Sequence, residues 1–74
     1  MKIVSVQFLN SNYTPIGKHY TYFTEVDLSE GDLIQVPTRF GMGNARVSKV
    51  DIQADEVDCT VLEYMQTITS KESI

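Results

Sequence analysis

The residues best suited to chemistry fall in one run, Arg39-Phe40-Gly41-Met42-Gly43-Asn44-Ala45-Arg46. Glycines let a backbone approach a phosphate, arginines offer it forked donors, and an aromatic face such as Phe40 accepts a stacked base. Arg39, Phe40, Arg46 and Lys49, with Lys18 as a further cation, therefore form a candidate nucleic-acid-binding set. Gly-Met-Gly is only a fragment of a phosphate-cradling loop, because neither a Walker lysine nor a helix follows it. The same glycines serve equally well as a hairpin tip, with Phe40 and Met42 covering the end of a barrel.

Other chemistry is poorly provided for. His19 and Cys59 are the single histidine and the single cysteine, so they are the only ingredients for a thiol–imidazole couple. No third orienting group or recognisable motif accompanies them, so no catalytic residue is assigned. Cys59 reads as a small core residue between Val57 and Val61, and His19 as a surface histidine at the start of a strand. Glu25, Asp27, Glu30 and Asp32 supply oxygen atoms, but their spacing matches no calcium loop and reads as a solvated acidic turn. Neither a metal site nor a cofactor motif is assigned, and the chain reads as non-enzymatic.

Length and charge narrow the field further. Seventy-four residues make about one small domain, which buries only roughly 60% of its unfolded surface. Such a domain usually needs a staple, and one cysteine permits no internal disulfide, which leaves self-association as an option. The free thiol fits a reducing, cytoplasmic setting, and no apolar run approaches the roughly 18 residues of a membrane span. Net charge is −4, against whole-surface attraction to nucleic acid or anionic lipid. Residues 33–49 nevertheless hold three basic groups and no acid, so the remainder carries 3 basic and 10 acidic groups, net −7.

The elements that must position these residues read as strands. Val4, Val6 and Phe8 alternate with Ser5 and Gln7 over residues 2–9, the period of a half-buried strand. Residues 10–18 collect turn formers around Pro15 and Gly17 and read as a loop. His19 to Thr24 is aromatic and β-prone, with Tyr20 and Tyr22 on one face and His19, Thr21 and Phe23 on the other. Tyr20, Tyr22 and Phe23 are the candidate protein-interface residues, since tyrosine buries apolar area while keeping a polar tip. Gly31 suits the third position of a type II turn from Ser29 to Asp32. A third strand, residues 33–37, ends near Pro37. Residues 38–44 make a hairpin connection with a mobile tip, residues 45–50 a fourth strand, and residues 51–56 a turn. Val57, Cys59 and Val61 then alternate with Asp58 and Thr60 as a fifth strand. Residues 63–74 have no clean period, and strand extension, a helical turn and fraying stay open.

Glu30-Gly31-Asp32-Leu33-Ile34-Gln35-Val36-Pro37, followed by Gly41, Gly43 and Ala45-Arg46-Val47, resembles the strand-turn-strand core of SH3-like barrels of the KOW type. With Tyr20-Thr21-Tyr22-Phe23-Thr24 ahead of it, the stretch 19–50 is also similar to the N-terminal DNA-binding domain of the primosomal replication-restart helicase. Small SH3-like or Sm-like proteins of bacteria and phages share the same wording. Nucleic-acid-holding members of such families tend to be basic overall, whereas this chain is acidic. The expectation is an all-β, five-stranded SH3-like or Sm-like barrel over residues 1–65, with a tail at 66–74. Its expected role is that of an interaction module that takes weak, salt-sensitive single-stranded nucleic acid on the hairpin 39–46. The alternative is a structural or protein-binding module that self-assembles through barrel edges and the aromatic strand, as a homo-oligomer with no membrane role.

Overall fold

The computed structural model describes residues 2–73. Four long strands dominate it: β1 (Lys2–Leu9), β2 (Pro15–Thr24), β3 (Leu33–Thr38) and β4 (Gly41–Lys49). A 3-10 turn (Ala54–Glu56) and one turn of helix, α1 (Cys59–Leu62), follow, and two short strands, β5 (Thr67–Ile68) and β6 (Glu72–Ser73), end the chain. The strands form one mixed sheet in the order β5-β2-β1-β4-β3-β6. It curls until its ends almost meet, so the domain is a small all-β barrel. β1 to β5 make the barrel, and β6 adds two residues against the outside edge of β3.

Alternation decides what lies inside. In register, Val4 faces Tyr22, Val6 faces Tyr20 on one side and Val47 on the other, and Ile34 faces Ala45. These residues turn inward with Val36, Thr24 and Ile68, and all but Tyr20 are buried. Burial of each large aliphatic side chain contributes about 1.5–3 kcal/mol, which is how so short a chain offsets its ordering entropy. Ile3 is buried as well, although it has the opposite parity. The chain leaving β4 runs beside it, with the Ile52 N–H donating to the Ile3 carbonyl at 3.1 Å.

Closure comes from two residues far apart in sequence. The Tyr22 hydroxyl, reaching across the interior from β2, donates to the Pro37 carbonyl of β3 at 2.9 Å. Burial pushes the Tyr22 phenol up from its ordinary value, and neighbouring Tyr20 adds to the shift, so the phenol stays protonated as a donor. Ile68, 1% exposed, fills the seam from the other side, where a gap of about 110 Å³ remains between β3 and residues 67–70.

Several expectations need correction. The loop 10–18 is shorter: Asn10 Oδ1 accepts the N–H groups of Asn12 and Thr14, Tyr13 takes a φ of 59°, and β2 already begins at Pro15. The hairpin connection 38–44 is shorter too, since β3 and β4 pair up to Thr38 and Gly41, which leaves only Arg39 and Phe40 outside the ladder. The strand expected at residues 57–61 is α1 and its approach. Asp58 caps it by accepting the Thr60 N–H at 2.9 Å, and an aspartate beginning a turn wins over two-residue alternation. Cys59 is accordingly exposed, not core. The fifth strand lies later, at 67–68, so a domain ending at residue 65 would omit a core residue. The Ser29–Asp32 turn stands as expected, with the Asp32 N–H donating to Ser29 and Gly31 at a φ of 91°.

Two measurements follow from this packing. Ile68→Ala should lower stability by about 2–5 kcal/mol in urea denaturation, where a frayed tail would give no change. The Asp32 carboxylate accepts the Ser29 N–H and pairs with Lys71 Nζ at 3.2 Å, contacts that hold its carboxyl below the usual aspartate value. Its contribution is thus present above the ordinary aspartate pKa and lost as pH falls through the lowered one. Asp32→Asn should flatten that acid limb in melts recorded below about pH 4.

Candidate protein-interaction groove

The sheet's two outer edges are treated differently. At the end of β2, the N–H groups of Phe23 and of Glu25 just beyond it donate outward to Gln66 and Ile68 carbonyls of the β5 segment, at 3.0 and 2.9 Å. Backbone groups alternate in direction along an antiparallel strand, so the N–H and C=O of Thr21 and His19 point the same way. β5 is too short to reach them, its register with β2 covering only Phe23 and Thr24. Over His19–Tyr22 the edge therefore opens into a groove of about 850 Å³.

The opposite wall is built by residues 52–66. Val57, Val61 and Met65 recur at four-residue intervals, and with Ile52 and Tyr64 they give the groove its apolar lining. Glu56 and Asp58 line it too, and both are fixed locally: Glu56 Oε2 accepts the Gln53 N–H, and Asp58 accepts from Thr60. The hydrogen bonds from Thr60 hold the Asp58 carboxyl below its ordinary value, so it stays charged. Beside His19, β4 carries one extra residue where Ser5 pairs with Lys49 but Val6 with Val47. This bulge turns Ser48 so that its Oγ donates to the Ser5 carbonyl at 3.1 Å and lies 3.0 Å from His19 Nδ1.

Of the interface residues expected from sequence, Tyr20 and Tyr22 line the groove. Tyr20 is 47% exposed and packs edge-on against Phe8, whereas Tyr22 is buried and spends its hydroxyl on closing the barrel. Phe23 lies on the other face of the strand, half-buried and outside the groove lining. The far wall escaped sequence reasoning, although the spacing of Val57, Val61 and Met65 was its signal.

The basic set is not gathered into one place. Arg39 and Phe40 form the β3–β4 turn, with Phe40 93% exposed, and the Phe40 N–H donates to Thr38 Oγ1. Gly41, at a φ of 111°, absorbs the positive dihedral of that turn. Gly43 serves packing: a Cβ there would stand 3.1 Å from the Phe8 ring. Arg46 projects from mid-strand between Gln7 and Leu33. Lys49 is eight residues beyond Gly41, roughly 26 Å along an extended strand, with Glu56 at 4.0 Å. Among the described residues, no three His, Cys, Asp or Glu side chains cluster in a way that could hold a metal ion.

No family model, curated protein or solved structure matches this chain. The site is consequently read from its own geometry. Native-state hydrogen exchange tests that geometry directly. The amides of Thr21 and His19 should exchange orders of magnitude faster than those of Tyr20 and Tyr22, whose N–H groups face β1. Equal protection of all four would mean that the edge is covered.

Proposed function

We propose that this domain is a non-enzymatic protein-binding module that takes an extended segment of another chain along the free edge of β2. The observation that supports this best is the coincidence of unpaired backbone groups at His19 and Thr21 with an apolar wall facing them across a groove. Main-chain pairing to an exposed edge gives affinity without demanding a particular sequence, and side-chain pockets beside it give selectivity. Tyr20, with its amphipathic ring at the mouth, suits such an interface. A cytoplasmic setting accords with the lone exposed thiol of Cys59.

A second reading, single-stranded nucleic acid on the hairpin tip, is favoured by one observation, the bare Phe40 ring beside Arg39. That pair suits stacking of one base with contact to one phosphate. Its support stops there, because Lys49 stands at the other end of β4 beside a carboxylate.

The two readings separate by the location of perturbed amide signals. A short peptide alternating threonine and valine should shift resonances of residues 19–22 and 57–66, and Thr21→Pro, which removes the outward donor, should weaken that binding at least tenfold with the barrel intact. A short oligonucleotide at low salt should leave those residues unchanged. Peptide shifts confined to 39–46, or none at all, would end the edge-binding reading.

A further inference from the structure

From the charge of the groove we infer the class of its occupant, an inference that rests on the edge-binding reading above: an extended segment in which aliphatic residues alternate with lysine or arginine. From residue 50 to residue 70 the chain has five acids (Asp51, Asp55, Glu56, Asp58 and Glu63) and no lysine or arginine, net −5. This is the stretch that builds the far wall, and two of those carboxylates, Glu56 and Asp58, line the groove itself against a single lining cation, Lys49, whose Nζ lies 4.0 Å from Glu56 Oε1. The near wall is different, since no acid occurs from residue 1 to residue 24. A chain added to β2 therefore has uncharged backbone on one side and, on the other, an apolar wall whose carboxylates outnumber its one cation and whose flanking stretch is acidic throughout.

Strand geometry turns that asymmetry into a pattern. Successive side chains of an added strand point to opposite faces, so alternate residues fall into one class of environment. One class meets Val57, Val61 and Met65, and the other reaches the carboxylates. Long cationic side chains suit the second class because they lay an apolar stem along the wall and present the charge at its rim. An acidic strand is disfavoured by the same field. So is a second copy of this domain, which carries net −4 and brings its own acidic band to the contact.

The experiment compares three peptides of equal length that alternate valine with lysine, threonine or glutamate, titrated into the labelled full chain at low salt. The lysine peptide should bind at least tenfold more tightly than the glutamate peptide, protect the Thr21 amide from exchange, and lose that advantage as salt rises. Asp55→Lys with Glu63→Lys changes the wall from −5 to −1 (−5 + 4) and spares the capping carboxylates Glu56 and Asp58, so it should erase most of the preference. Melts of this variant at the wild-type temperature confirm that the fold is kept. Equal binding of the lysine and threonine peptides at the β2 edge overturns the basic occupant while the edge-binding reading stands. Binding of none of the three overturns both. A mass of twice 8.4 kDa in light scattering, with Thr21 protected in the free protein, assigns the groove to a second copy and overturns the inference.

Discussion

Everything else in this domain depends on the register of β1 between β2 and β4. Ser5, Val6 and Gln7 are paired on both sides in the ladder, and a slip by one residue would turn the inward Val4 and Val6 to the outer face while bringing Ser5 and Gln7 inside. The bulge at Ser48 lets β4 follow β1 past the point where a regular ladder would fail. From that fixed centre the sheet curls outward, and the two edges meet closely enough for a phenol to bridge them.

The two edges of the sheet are where its pairing is incomplete. Unpaired strand edges invite other chains, and small sheet proteins usually cover or shorten them. Here the β3 edge takes two residues of β6, and the β2 edge takes two residues of β5. The coverage on β2 stops at Phe23, and the peptide units beyond it are left beside an apolar wall. A buried edge would have been inert and a bare flat edge would invite aggregation. A partly walled edge lies between the two, its peptide units exposed but shielded from a second flat sheet.

Much of the barrel was legible in the sequence, because two-residue alternation is local and β1, β3 and the aromatic part of β2 display it in plain form. The Ser29–Asp32 turn was equally visible through Gly31. Two kinds of information were not. Residues 57–61 satisfy both a strand pattern and a helical one, and the choice was made by the Asp58 cap, a hydrogen bond rather than a hydrophobicity pattern. Ile68 looks like one apolar residue in a polar tail, and only its place in the seam reveals it as core. The groove was missed for the same reason, since it exists only when residues 52–66 return to face β2. The basic residues between Arg39 and Lys49 are close in sequence but spread along a strand, so proximity in the chain did not become proximity in space.

The hydroxyl at the bulge settles a detail of hydrogen-bond polarity. Ser48 has one proton and gives it to the Ser5 carbonyl, so toward His19 it can only accept. The Nδ1 of His19 is then the donor in that contact, which ties the ring to the bulge. One serine thus ties three strands together, β4 through its own backbone, β1 through the Ser5 carbonyl and β2 through the His19 ring, at the place where the regular ladder is interrupted.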